Sequence, residues 1–256
     1  MPFGSIFHKF EHVYATTADD SEISFKNSTL SKCVFRIIGI PHIQLRLRSR
    51  KIMNNIPTGP LKMLDAGFGT GVYSLVLGNR MKDIVGVDLD KNKVSFIKKQ
   101  AISSNIHFEE MDITNLRFSD SSFDLIVCSD VLEHIHDDEL AFSELARVLR
   151  NGGTLILTVP FLSDSNVNVH RRFHHEHAGY TSQRILDLCV RNSLAVEKEE
   201  FYSHSLSNRM SSISCRMLTN KYALTFLFCI SYPLILIAES CPVRGSPSGI
   251  FFVIRK

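Results

Sequence analysis

Three glycines spaced two apart, Gly67, Gly69 and Gly71, stand in the run Asp65-Ala66-Gly67-Phe68-Gly69-Thr70-Gly71. Residues without a Cβ let a backbone turn sharply and come close to a ligand. The run follows an apolar stretch that reads as a strand and opens a helical one, so the helix amides are expected to point at that ligand. Asp88 ends the next apolar stretch, 21 residues beyond Gly67, close to the roughly 20 that separate a glycine turn from an acid accepting ribose hydroxyls. A nucleoside-containing ligand is implied. The dinucleotide fingerprint wants G-x-G-x-x-G, whereas position 72 here is Val72. That weighs against NAD and leaves a nicotinamide-dependent oxidoreductase as the competing class.

Histidine is the other chemistry-bearing residue type. His134 falls just beyond an apolar run at 123–130, and the segment His170-Arg171-Arg172-Phe173-His174-His175-Glu176-His177 follows another at 153–160. Imidazole titrates near neutrality and serves as a general base toward a hydroxyl or phenol. His134, His170 and His174 are therefore the candidate bases, with His134 also readable as a residue that orders its own loop. The two arginines offer an anion-binding pair. Imidazole and carboxylate would also suit a metal, but the spacing supports a solvated cover over the substrate better, and no metal is expected.

These residues need elements to hold them. From 61 to 202, short β-rich runs alternate with helix-period stretches, the pattern of a parallel sheet wrapped by helices. The runs at 61–67, 83–90, 106–112, 123–130, 153–160 and 194–202 predict strands, with a last one at 249–256. Helical spacing of apolar residues covers 91–104, 137–150 and 181–191, the second stopped by Asn151-Gly152-Gly153 and the third opened by Thr181 as a cap. The stretch 40–56, with Arg46, Arg48, Arg50 and Lys51, is basic and amphipathic and predicts a helical cap.

The run DAGFGTG resembles motif I of the class I S-adenosylmethionine-dependent methyltransferases. Further stretches agree in order: Asp88, MDI at 111–113, FDLIVCSDVLEHI at 123–135 and LRNGGTLILTVP at 149–160, and LEH is similar to the methyltransferase type 11 subgroup. The resemblance covers residues 61–203. It implies an α/β, Rossmann-like, seven-stranded, mostly parallel sheet with helices on both faces, an antiparallel last strand and an N-terminal helical cap at 1–60. Residues 61–256 would form the methyltransferase domain, with an apolar helical insertion at 204–248. The implied cofactor is S-adenosylmethionine. Gly67, Gly69 and Gly71 would lie against its methionine part, Asp88 would hold its ribose with Leu89 also in the cofactor site, Asp112 and Ile113 would meet its adenine, and Ser129 and Asp130 would border the methionine moiety and transferred methyl. Asp65 would order the loop or bind the ammonium group through water. Many relatives carry Cys where this chain has Phe68, whose side chain is expected to pack.

Composition narrows the partners. The 256 residues carry a formal charge of +3, too small a surplus to argue for nucleic acid. Ser129-Asp130-Val131-Leu132 also differs from the Asn/Asp-Pro-Pro-aromatic run with which amino-methyltransferases grip a flipped base. The six cysteines show no C-x-x-C spacing, which reads as a reducing compartment, and residues 1–10 lack the apolar core of a secretory signal; a cytoplasmic location is expected. Residues 222–238 carry no charge but include Pro233, and a terminal hairpin around them would forbid a single membrane crossing. They read as a lid over the acceptor, a peripheral membrane contact or a dimer interface. A small or lipid-like acceptor, such as a quinone or lipid precursor or a glycan-pathway intermediate, fits best. A third reading is a non-catalytic cofactor-binding module.

Overall fold

The computed structural model describes residues 43–99, 103–162, 176–204 and 246–256. Seven strands form one sheet: β1 (Lys62–Ala66), β2 (Asp83–Asp88), β3 (Ile106–Glu110), β4 (Phe123–Ser129), β5 (Leu149–Pro160), β6 (Ala195–His204) and β7 (Pro247–Arg255). Their order is β3-β2-β1-β4-β5-β7-β6. The first five pair in parallel, and β7 runs antiparallel between β5 and β6. This is the mostly parallel sheet with an antiparallel last strand that the motifs imply.

Alternate residues of the central strands feed two cores. Leu64, Ile126, Cys128, Leu155 and Leu157 face one side, where α4 (Asp138–Val148) and α5 (Ser182–Arg191) contribute Leu145, Ile185 and Leu188. Met63, Leu125, Val127 and Ile156 face the other, where α1 (Ile43–Asn55), α2 (Val72–Leu77) and α3 (Lys91–Lys98) contribute Ile52, Val76, Val94 and Ile97. Burial on both faces explains why these strands read as unbroken apolar runs. The basic stretch near residue 50 thus forms a helix whose apolar side, Leu45, Ile52 and Met53, belongs to the sheet's own core. Residues 1–42 lie outside the described part, as do 163–175 and 205–245, which hold His170, His174 and the apolar window. Among the described residues no helix is long and apolar enough to cross a membrane.

Two helix limits differ from expectation, and the first is that of the helix predicted over 91–104, which ends at Lys98. The helix predicted over 137–150 ends at Val148, and β5 begins at Leu149, opposite Phe123. Helical periodicity runs on through Leu149, but pairing with β4 captures the chain before the glycines, and the register shift between Phe123 and Leu125 absorbs Arg150 to Gly153. Gly152, at φ 75°, forms a bend inside the strand instead of a helix stop. At the start of α5, by contrast, the Arg184 amide donates to Thr181 Oγ1 at 3.2 Å, the predicted cap.

The strand order reverses between β1 and β4, so their carboxyl ends open a crevice, where ligands of open α/β sheets bind. The loop after β3 that must border this crevice is held from behind by α4. Arg147 donates to the carbonyls of Phe118 at 2.7 Å and Leu116 at 2.8 Å, while Glu144 accepts the Leu116 amide at 2.9 Å. Replacing Arg147 by Met should cost about 2 kcal/mol, the scale of lost charge-assisted hydrogen bonds. Thermal unfolding at fixed pH checks it, and an unchanged midpoint would contradict the anchoring role.

Candidate functional site

The chain leaves β1 while still bonded to β2. The amides of Gly67 and Phe68 both donate to the Val87 carbonyl, at 2.8 and 3.1 Å. The Gly69 amide donates to Asp88 Oδ2 at 3.0 Å, and the Asp90 amide donates to Asp88 Oδ1 at the same distance. Asp88 is thereby locked at the carboxyl end of β2 with the loop folded against it. All three loop glycines have positive φ, between 54° and 69°, a region L residues rarely adopt.

They do different work. A Cβ on Gly67 would stand 2.5 Å from a Val131 methyl, and one on Gly71 would stand 2.7 Å from Ile97 Cγ1, whereas one on Gly69 would meet nothing within 4 Å. Gly67 and Gly71 are therefore packing positions. Gly69 faces open space beside Asp88, where the absence of a side chain leaves room for a ligand's approach. Phe68 packs as expected, buried with its ring edge-on to Phe108 at 4.8 Å.

Asp65 orders the loop from beneath. Its Oδ2 accepts the Ser74 hydroxyl at 2.7 Å and the Ser74 amide at 3.2 Å. Burial pushes its carboxyl up to about 6 against those two bonds, and the charge of Asp88 adds to the rise. Of the helix amides expected to face the ligand, that of Ser74 faces Asp65 instead.

The other predicted positions gather around the same crevice. Leu89, beside Asp88, exposes 70% of its surface. Asp112 is exposed and caps a short 3₁₀ turn, accepting the Thr114 amide and hydroxyl at 2.9 and 2.8 Å, which leaves Ile113 buried next to it. The Ser129 hydroxyl lies 3.0 Å from that of Thr158. Asp130 holds the left-handed conformation at φ 52°, which Asp tolerates better than most residues. His134 is exposed on the following 3₁₀ turn. Among the described residues no group of His, Cys, Asp and Glu could hold a metal.

Three residues escaped the sequence reading. Arg48 of α1 forms an ion pair with Asp130 Oδ2, and the Tyr202 hydroxyl, arriving from β6, is 3.5 Å from Asp130 Oδ1, which also accepts from Thr158 at 2.8 Å. Glu133 is the third. Only 1% exposed, it has an Oε2 that meets no donor, and burial pushes its carboxyl up to about 7 against a bond from its own amide and the charge of Arg48. Contacts between elements far apart in the chain leave no local signal. For Glu133 one existed: an acid between apolar Leu132 and a histidine, just beyond a largely buried strand. Cys128, a few residues away, is no nucleophile, since burial raises its thiol far above neutrality.

Two predictions separate these roles. Gly71→Ala should destabilise the fold by a few kcal/mol through strain and the clash with Ile97, roughly 2–4 kcal/mol, while Gly69→Ala should cost about 1 kcal/mol and instead weaken cofactor binding; paired thermal-shift and titration measurements check both. Glu133 has a folded pKa above its ordinary 4.5. Its protonated form therefore suits the fold, and the stability it allows is full below pH 4.5 and lost as pH rises through about 7. Relative to Glu133→Gln, the wild type should lose on the order of 3 kcal/mol between about pH 4 and pH 8. Denaturant titrations across that range would contradict this if the two curves stay parallel.

Comparison with known proteins agrees with this geometry. A family model described as a methyltransferase domain matches residues 64–157. Phosphoethanolamine N-methyltransferase 3 of Arabidopsis thaliana is 33% identical over 100 residues, covering 38% of this chain and 20% of that one. Demethylmenaquinone methyltransferase of Bacteroides fragilis is 29% identical over 115 residues, covering 42% and 47%. The chain thus spans less than half the length of these relatives. An S-adenosylmethionine-dependent methyltransferase from Mesorhizobium loti shares the fold, with a TM-score of 0.57 at 15% identity over 81% of this chain and 96% of that one. With its glycine loop at the reversal point of the sheet and an acid at the end of each of the next two strands, the chain carries a methyltransferase domain at residues 64–157 and shares its fold with an S-adenosylmethionine-dependent methyltransferase.

Proposed function

We propose that this chain transfers a methyl group from S-adenosylmethionine to a small or amphipathic acceptor. The observation that carries the reading is the open position at Gly69, bonded to Asp88 and set at the reversal of strand order. The bound cofactor supplies the electrophilic methyl. Gly67, Gly69 and Gly71 line its amino-acid part with backbone alone, and Asp88 accepts from its ribose with the lone pairs that the Gly69 and Asp90 amides leave. Exposed Leu89, with Ile113 and Asp112, flanks the adenine, and Ser129 and Asp130 border the methionine end. In this reading 1–60 form the cap and 61–256 the catalytic domain.

Methyl transfer from a sulfonium is an in-line displacement whose charge disperses, so the protein chiefly positions the acceptor and excludes water. No covalent nucleophile is needed. A hydroxyl acceptor gains from a base near its proton. His134, exposed just beyond the carboxyl end of β4, would take that role in this reading, and His170 and His174 are further candidates from outside the described residues. Relatives named for a phosphorylated amine and for a quinone support a small-molecule acceptor. The apolar window at 222–238 supports an amphipathic one.

Incubating the protein with isotope-labelled S-adenosylmethionine and a metabolite extract should yield labelled small molecules by mass spectrometry. Label found only in nucleic acid or protein would contradict the acceptor class. With the acceptor in hand, His134→Ala should lower kcat by about 10²-fold, the usual share of a general base, and leave cofactor affinity unchanged. An unaltered kcat would remove His134 from the chemistry.

A further inference from the structure

β6 is an edge strand whose charges are arranged by a bulge. The register with β7 shifts between Val196 and Lys198. Val196 packs against the core that holds α5, whereas Lys198 lies opposite Val253, which belongs to the core that holds α1. Without the extra residue, strict alternation would put Val196 and Lys198 on one face. The bulge instead sends Lys198, Glu200 and Tyr202 together toward α1. Bulges of this kind re-aim side chains beside sites.

Facing them, α1 presents Leu47, Arg50, Lys51, Asn54 and Asn55 at helical spacing, and the two elements enclose a cleft of about 330 Å³. Glu200 holds Lys51 at 2.6 Å and Lys198 at 3.0 Å. One carboxylate therefore serves two ammonium groups. Arg50, exposed at the rim, forms no ion pair among the described residues. The lining carries a surplus of two positive charges, with amide donors at Asn54 beside them, and is large enough for a small molecule rather than a lone ion.

We propose that this cleft binds the dianionic phosphate group of a phosphomonoester, held by Arg50, Lys51 and Lys198. Its charge matches the surplus, and it would give Arg50 an anionic partner. A ligand bridging Lys51 and Lys198 would tie α1 to the edge strand, and α1 is the helix that delivers Arg48 to Asp130. The site stands on the cleft alone and does not depend on the methyl-transfer reading.

The test titrates the full chain with inorganic phosphate and glycerol 3-phosphate by calorimetry, and separately with phosphatidylcholine vesicles containing or lacking phosphatidic acid by co-sedimentation. Saturable binding of glycerol 3-phosphate points to a soluble ligand, and sedimentation that requires phosphatidic acid points to a lipid headgroup; either supports the site. Arg50→Glu, at an exposed position that forms no ion pair among the described residues, and Lys51→Gln combined with Lys198→Gln should each weaken binding at least about tenfold, as expected for lost charge-assisted hydrogen bonds. S-adenosylhomocysteine affinity, measured on the same samples, should stay constant in Arg50→Glu and reports the cofactor site independently. Absence of saturable binding in both arms, or binding that survives the variants, would overturn the proposal.

Discussion

Parallel strands cannot be joined by tight turns, so the chain leaving β1 must bend away from the sheet at once. Here it does so while its first amides remain bonded to β2. Gly67 and Phe68 share the Val87 carbonyl and Gly69 reaches Asp88, so the loop and the acid form one rigid piece. The rest of the site follows from that constraint. With Gly67 pressed against Val131 and Gly71 against Ile97, the only relaxed direction for a ligand's approach to the loop is over Gly69. Asp65 sits beneath it as a buried acid committed to Ser74, a polar tie that fixes where α2 starts.

The second half of the site is built by tertiary contact. Asp130, in a conformation few residues tolerate, collects Arg48 from α1, Thr158 from β5 and the Tyr202 hydroxyl from β6. Three elements distant from one another in the chain therefore meet at the end of β4. Helix α1 is part of this machinery: it shares the sheet's core and supplies Arg48 to Asp130. A buried Glu133 close by adds an acid that changes charge near neutrality.

How much of this was legible depends on the range of the contacts. The β-αβ rhythm, the glycine loop, Asp88, the acid after β3 and the end of β4 are local patterns, and each stands where its motif implies. The helix limit at Val148 was not legible, because a propensity that continues to Leu149 yields to pairing with Phe123. Arg48 read as one of several basic residues in an amphipathic stretch, and nothing in its neighbourhood distinguishes it from Arg46 or Arg50. Tyr202 likewise ended a strand without announcing a partner 72 residues away. The bulge at β6 was invisible for the same reason, since Val196, Lys198, Glu200 and Tyr202 look like one face until the register is known.

In the proposed reading the crevice beside Gly69 takes a nucleoside linked to an amino acid and not a dinucleotide. Calorimetric titration of the purified, folded chain with S-adenosylhomocysteine, run in parallel with NADH, tests this most directly. One saturable site for S-adenosylhomocysteine and no heat with NADH is the predicted result. Heat with NADH alone, or silence with both S-adenosylhomocysteine and S-adenosylmethionine, would contradict it.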